Sequence, residues 1–145
     1  MDKVQVKVKR FDKELPLPKQ QTEGAAAFDL TAREAVEILP GTVGLVQLNI
    51  AVETPRGYFM MVAARSSIHK KGLIKPNGIG IIDPDFCGND DEIRASYYNF
   101  TDKSVLIEKG ERIAQAVFIP IMNFEWQEVE KMQNKNRGGF GTTGK

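Results

Sequence analysis

Cysteine is almost absent from this sequence, and its scarcity excludes two kinds of structure. The single Cys87 among 145 residues can form neither an intrachain disulfide nor a metal site of several thiolates, and it is compatible with a reducing compartment. The sequence also lacks an excess of charge of one sign, because its 20 Lys and Arg residues nearly balance its 19 Asp and Glu residues. No global field therefore draws the protein to nucleic acid or an anionic membrane, and any bound anion must be held locally.

Long apolar runs are missing as well. The N-terminal MDKVQVKVKRF has no apolar signal-peptide core, and no window approaches the ~18 apolar residues of a membrane span. We therefore expect a cytoplasmic protein with no membrane partner and no stable nucleic-acid partner. What is present, 41% hydrophobic and 27% charged residues in 145, suits one globular domain with a single core.

Hydrophobic residues recur mostly at a period of two, which indicates β-strands. Val4, Val6 and Val8 alternate with polar residues, and so do the apolar positions of 46–52. Many short strands at nearly regular spacing predict an all-β sandwich or jelly-roll. Six further segments have the composition of strands: YFMMVAA (58–64), GIGIID (78–83), EIRASYYNF (92–100), SVLIE (104–108), RIAQAVFIP (112–120) and FEWQEVE (124–130).

At most one short helix is expected. SSIHKKGL (66–73) predicts one or two helical turns, with Ser66 or Ser67 as N-cap and Gly72 at the end. TAREAVEIL (31–39) contains helix formers, but Pro40-Gly41 ends it early and its apolar residues alternate. We assign it to strand or loop.

Three segments have residues suited to ligand binding or catalysis. Arg65, Ser66 and Ser67 follow an apolar run and form either an anion site or a helix cap beside a surface arginine. In NGIGIIDPDFCGND (77–90), Asp83 leaves a buried strand and is either a general base or a turn aspartate bonded to nearby amides. The acidic residues 89–92 are expected to form a solvated loop, because adjacent carboxylates rarely converge on one ion.

The third segment is the glycine-rich C-terminus, NRGGFGTTGK (136–145). Phe140 is its one large apolar side chain, so the segment has little to anchor it to a core. It is either an unanchored tail or a lid that closes over a ligand, with Lys135 and Arg137 as cations and Thr142 and Thr143 as hydroxyl donors.

Five segments in order resemble the motifs of the trimeric dUTP diphosphatases (dUTPases): AAAFDLTA (25–32), ARSS (64–67), NGIGIIDPDFCG (77–88), GERIAQAVF (110–118) and RGGFGTTG (137–144). The likeness covers nearly the whole chain. It implies a jelly-roll β-barrel over residues 1–134, a flexible lid over 135–145, and three sites between the chains of a homotrimer. The implied reaction is the Mg²⁺-dependent hydrolysis of dUTP to dUMP and pyrophosphate.

The resemblance also implies a role for each matching residue. Asp83 matches the base that activates water against the α-phosphorus, and Asp29 matches the acid that contacts magnesium-bound water. The other matching positions bind the substrate: Arg65, Ser66, Ser67 and Gln115 the phosphates, Asn77, Gly80, Ile81 and Ile82 the uracil, Phe140 the uracil face, and Gly141 and Thr142 the region of the γ-phosphate.

Some positions depart from the family pattern. Phe86 stands where tyrosine is usual, so the ring can pack against deoxyribose but the phenol hydrogen bond is lost. Ala27 replaces a glycine in the first motif. The slot of the tail arginine holds Lys135, and Arg137 lies two residues later. Either cation can meet the γ-phosphate, and we favour Arg137.

Two other functions are compatible with this pattern. The related dCTP deaminases also have an Arg-Ser-Ser motif, but they need a glutamate where this chain has Ser96, with Glu92 nearby in sequence. A nucleotide-binding regulator of the same fold without turnover is the second alternative.

Overall fold

The computed structural model describes residues 2–142 and Gly144, and it contains eleven β-strands and one four-residue 3-10 helix within them. The helix is Ile68–Lys71, and no helix of these residues is long and apolar enough to span a membrane. The nearly all-β prediction is therefore confirmed. The strands are β1 (Lys7–Arg10), β2 (Phe28–Thr31), β3 (Val36–Ile38), β4 (Val43–Gln47), β5 (Ile50–Glu53), β6 (Tyr58–Ala64), β7 (Leu73–Ile74), β8 (Gly80–Ile82), β9 (Arg94–Asn99), β10 (Val105–Ile107) and β11 (Arg112–Pro120).

The strands pair antiparallel in four sheets. The largest has the order β2-β11-β6-β8, a second has the order β4-β9-β7, and β1–β5 and β3–β10 form two-stranded pairs. Among the described strands the hydrogen bonding does not close into one ring. Where a barrel was predicted, the described strands form four separate sheets around one shared core.

One hydrophobic core lies between these sheets and receives side chains from almost every strand. Alternate residues of the strands point inward, as the period of two requires. The largest fully buried side chains are Tyr97, Leu30, Ile38, Leu48, Ile50, Met60, Leu73, Ile93, Ile107 and Ile113.

The acidic stretch 89–92 ends in a buried carboxylate rather than in a fully solvated loop. Glu92 is 4% exposed, and it accepts hydrogen bonds from Arg33 Nε at 2.8 Å, Arg33 Nη2 at 3.0 Å and the Asn49 backbone N–H at 2.9 Å. Hydrogen bonding to Glu92 raises the pKa of Arg33. The prediction of a solvated loop is wrong for Glu92, because a charged partner compensates its burial.

The single strand predicted over residues 46–52 is interrupted at Asn49. Its φ of 70° lies in the left-handed region that asparagine tolerates better than most residues. The backbone therefore turns between β4 and β5, which are separate strands.

The segment after β11 differs from the sequence prediction. Residues 121–142 contain neither strand nor helix, and the expected strand FEWQEVE (124–130) is absent. Its alternation is real, but no described strand pairs with it. Met122, Phe124 and Trp126 are exposed, the last with 88% of its surface.

Candidate active site

Strand β11 brings together side chains that were predicted to bind phosphate. Its Gln115 lies opposite Asp29 of β2 and opposite Ala63 of β6, so these residues project from one face of the sheet. Arg65 and Ser66 directly follow β6 at the same end. The cleft there has a volume of about 430 Å³. Gln21 also lines the cleft, and we give the name anion cluster to its other polar residues, Asp29, Arg65, Ser66, Arg112 and Gln115.

Arg112 reaches this face through a β-bulge. The register between β11 and β2 shifts between Arg112 and Ala114, so Arg112 lies opposite Thr31 and Ile113 is the extra residue. In a regular strand Arg112 would point to the same side as Ala114, into the core. The bulge instead buries both Ile113 and Ala114 and turns Arg112 towards the anion cluster.

Tyr97 supports the bulge from the core. Its hydroxyl donates a hydrogen bond of 2.6 Å to the backbone carbonyl of Ile113. Burial raises the pKa of the Tyr97 phenol, so the hydroxyl keeps its proton and remains a donor. The extra residue of the strand therefore has its carbonyl satisfied inside the core.

Asp29 connects two arginines in the anion cluster. Arg112 Nη1 donates to Asp29 Oδ2 at 3.1 Å, and Arg65 Nε lies 3.4 Å from Asp29 Oδ1. Arg65 Nη1 also donates to the Arg112 backbone carbonyl at 3.2 Å. Two guanidinium groups against one carboxylate leave a local excess of positive charge, which suits an anion.

The two serines are not used to cap the short helix. Ser67 occupies the predicted N-cap position but makes no side-chain capping hydrogen bond, and the predicted end at Gly72 (φ 84°) is confirmed. Neither the Ser66 nor the Ser67 hydroxyl makes a hydrogen bond within the described residues. Both hydroxyls are therefore available to a ligand.

The hairpin predicted to contact uracil lies at the other edge of the sheet. Strand β8 pairs with β6 on one side only, so the backbone groups on its outer side face away from the sheet. Asn77 closes the loop before it, because its carbonyl accepts from Ile79 N–H at 2.9 Å and its Nδ2 donates to the Ile79 carbonyl at 3.2 Å. Gly80 and Ile82 are half-buried and Ile81 is exposed.

Asp83 stands at the end of this edge strand with its side chain exposed. The turn after it is closed by its backbone, whose carbonyl accepts from Phe86 N–H at 3.0 Å. Its carboxylate makes no hydrogen bond within the described residues. The turn-aspartate alternative, in which nearby amides hold the carboxylate, is therefore not realised. Phe86 is also exposed.

Asp29 and Asp83 are well separated within one chain. Asp29 lies on β2 at one edge of the four-stranded sheet, and Asp83 follows β8 at the other edge. Interstrand spacing and residue rise put the two carboxylates on the order of 15–20 Å apart. The predicted base Asp83 and the predicted magnesium-site residue Asp29 therefore do not meet inside a single chain.

The described part of the C-terminal tail makes no hydrogen bond or ion pair with either region. Lys135, Arg137, Gly141 and Thr142 are exposed, and Phe140 has no burial at all. Thr142 Oγ1 accepts from Gly139 N–H at 2.8 Å, so the tail's own hydrogen bonds are local. Thr143 lies outside the described residues.

No group of three or more His, Cys, Asp or Glu side chains in the part of the chain that the structure describes could hold a metal ion. Asp29 is the carboxylate of the anion cluster, and its side chain is 12% exposed. Mg²⁺ commonly keeps several waters and binds one or two carboxylates together with substrate phosphates. This donor set fits an ion that arrives with a triphosphate.

The dUTPase family model matches residues 13–144 of the chain. The chain belongs to the dUTPase family. It is 41% identical over 141 residues to the deoxyuridine 5'-triphosphate nucleotidohydrolase of Hydrogenobaculum sp., which covers 94% of this chain and 96% of that protein.

Two solved structures show the same likeness in three dimensions. The dUTPase of Streptococcus mutans is 33% identical, covers 82% of this chain and 98% of its own, and has a TM-score of 0.74. The dUTPase of Staphylococcus bacteriophage 80alpha, solved with dUpNHpp, is 26% identical and has a TM-score of 0.82. The match covers 97% of this chain and 98% of that chain.

Sequence reasoning missed Arg112. The residue stands in the GERIAQAVF segment, where alternation would place it on the core side with Ala114. The available signal was a charged residue at a position that strict alternation would point into the core, since such a residue indicates a bulge or an irregular strand.

We expect Tyr97→Phe to lower the free energy of unfolding by about 1–3 kcal/mol, because the buried Ile113 carbonyl loses its donor. The measurement is chemical denaturation at fixed protein concentration. The matched control is Tyr98→Phe at the adjacent, half-buried tyrosine. Its free energy of unfolding should stay within about 0.5 kcal/mol of the parent value. Equal effects for the two variants would mean that the hydroxyl does not stabilise the bulge.

Proposed function

We propose that this protein hydrolyses dUTP to dUMP and pyrophosphate. Membership of the dUTPase family and the nucleotidohydrolase relative support this reaction. The observation that carries the proposal is the anion cluster, in which two guanidinium groups, a serine hydroxyl and a glutamine amide surround one cleft. Charged and neutral donors in this arrangement suit a polyphosphate and the charge that develops on it during attack.

A homotrimer completes the site by symmetry. Within one chain the anion cluster and Asp83 are on the order of 15–20 Å apart, too far for both to act on one phosphorus. When identical chains assemble, the hairpin of one copy can face the anion cluster of another. The exposed apolar side chains of 121–132 supply surface for such an assembly, because exposed apolar patches mark interfaces.

The β8 hairpin recognises uracil through backbone groups. The outer side of this edge strand offers N–H and C=O groups in a fixed array. Uracil and cytosine differ by donor and acceptor on one edge, so cytosine leaves buried polar groups unpaired, at a cost of about 1–3 kcal/mol for each. Asn77 shapes the loop that presents these groups.

Asp83 acts as the general base. Its exposed carboxylate has no partner within the described residues, so it is available to hold a water and accept its proton as that water attacks the α-phosphorus. Phe86, three residues later, packs against deoxyribose and leaves no room for a ribose 2′-hydroxyl. The tail then closes the site, with Phe140 over the uracil and Arg137 or Lys135, together with Gly141 and Thr142, at the γ-phosphate.

Mg²⁺ is the proposed divalent ion, held by the substrate phosphates with Asp29 contacting one of its waters. When bound, the ion neutralises charge on the triphosphate. The single exposed Cys87 fits the reducing cytoplasm, where we place the enzyme.

Asp83→Asn should lower dUTP turnover by about 10²–10⁴-fold, because the amide cannot accept the proton from water. Pyrophosphate release is measured with Mg²⁺, and dUpNHpp binding is measured beside it. The variant should keep its affinity for dUpNHpp. Asp85→Asn, two residues away in the same turn, is the matched control. Equal residual turnover in the parent and Asp83→Asn would favour the alternative of a regulator without catalysis.

We expect no release of ammonia from dCTP. The buried Glu92 is occupied by Arg33 and the Asn49 amide, and Ser96 has no carboxylate to move a proton. The assay follows ammonia during incubation with dCTP and, in parallel, pyrophosphate from dUTP. Ammonia released from dCTP at a rate comparable to dUTP hydrolysis would overturn the assignment in favour of a deaminase.

Deletion of residues 135–145 should leave a folded trimer with at least about tenfold lower turnover, because the tail adds little to the core. Sedimentation measures the assembly and pyrophosphate release measures the activity. The paired variant Phe124→Ser/Trp126→Ser keeps the tail but removes apolar surface from 121–132, and it should weaken the trimer. A truncated chain that sediments as a monomer would contradict the lid assignment.

A further inference from the structure

The reaction proposed above counts Arg112 among the guanidinium groups of the anion cluster but gives it no specific task. Together with Arg65 it lines two adjoining clefts of about 400 and 430 Å³. The β11 bulge places it there, and a distortion of the central strand is a costly way to expose an ordinary surface arginine. Its contacts give it a more specific role.

Arg112 restrains Arg65 by two routes. Its Nη1 donates to Asp29 Oδ2 at 3.1 Å, while the other carboxylate oxygen lies 3.4 Å from Arg65 Nε. Its backbone carbonyl accepts from Arg65 Nη1 at 3.2 Å. Arg65 is thus held at Nε and Nη1, while its Nη2 makes no hydrogen bond within the described residues and is available to a ligand.

The charge balance around Asp29 depends on Arg112. The Asp29 side chain is largely buried, so its carboxylate interacts strongly with the nearest cation. With Arg112 present, that attraction is divided between two guanidinium groups. Without it, Arg65 would be the remaining cation of the pair and would turn more fully towards the carboxylate and away from the cleft.

We propose that Arg112 is a positioning residue that holds Asp29 and thereby keeps Arg65 directed at the substrate phosphates. This inference rests on the proposed function, because it assumes a nucleotide triphosphate in the cleft. It assigns Arg112 an action through Asp29 rather than a direct contact with phosphate.

The test is a double-mutant cycle on nucleotide binding. Isothermal titration with dUpNHpp, in Mg²⁺ and again in EDTA, compares the parent, Arg112→Gln, Asp29→Asn and the double variant. Arg112→Gln should weaken binding about tenfold in the parent background, and less than about twofold when Asp29→Asn is already present. An equal loss in both backgrounds would show a direct phosphate contact and would overturn the inference.

Further measurements separate positioning from a purely structural role. Affinity for dUMP should change less than about twofold in Arg112→Gln, whereas a general loss of structure would weaken dUMP and dUpNHpp alike and lower the melting temperature. Arg112→Lys keeps a cation near Asp29 and should bind dUpNHpp within about threefold of the parent. A tenfold loss in the lysine variant, or none in Arg112→Gln, would contradict the proposal.

Arg94→Gln, at an exposed position of β9 outside the cluster, removes the same charge and is expected to bind like the parent. If the parent protein neither binds dUpNHpp nor releases pyrophosphate from dUTP, both the proposed function and this inference are wrong. If the parent does both and the cycle shows no coupling, only the role of Arg112 fails.

Discussion

The candidate site depends on one irregularity in one strand. Strand β11 pairs with β2 on one side and β6 on the other, so it fixes where Asp29 and Arg65 stand relative to Gln115. The bulge at Ile113 then adds Arg112 to the same face. Without the bulge, alternation would direct that guanidinium into the core, where an unpaired charge is very costly. The Tyr97 hydroxyl, which bonds the Ile113 carbonyl, therefore links packing in the core to charge at the surface.

The same sheet that assembles the anion cluster keeps Asp83 away from it. Asp83 follows Ile82, which pairs with Met60 near the start of β6, whereas Arg65 follows the other end of β6 and Asp29 lies on the far edge strand. A single chain can thus be stable with both half-sites exposed to water. In the proposed trimer, an acceptor from one copy meets cations from another, so binding and chemistry both depend on the quaternary structure. The outer side of β8 is suited to this arrangement, because an edge strand has backbone groups that a nucleotide base can use.

Local sequence patterns predicted most of the strands, and failures occurred where a distant partner decided the outcome. The run from Tyr58 to Ala64 is a strand with the expected bounds, because β11 and β8 pair with it on either side and Met60 and Val62 enter the core. The alternation of 124–130 looks the same in sequence, yet no described strand lies beside it. Glu92 was expected in solvent, but Arg33, 59 positions away, makes its burial possible. Arg112 was overlooked because a bulge is set by the pairing of two strands, and alternation within β11 signals it only through a charge at a core-facing position.

The exposure of the tail fits the proposed closure over a substrate. Fixing the backbone of one residue costs about 1–2 kcal/mol, so ordering the described tail from 135 to 142 costs on the order of 10 kcal/mol. Its one aromatic ring, on Phe140, gains no burial on the body of the protein. In the proposed mechanism, contacts with the base and with the terminal phosphates must offset that cost. Since dUMP lacks the β- and γ-phosphates, it stabilises the closed tail less than dUTP does. A tail that the core itself held down would lose this difference and would retain the product.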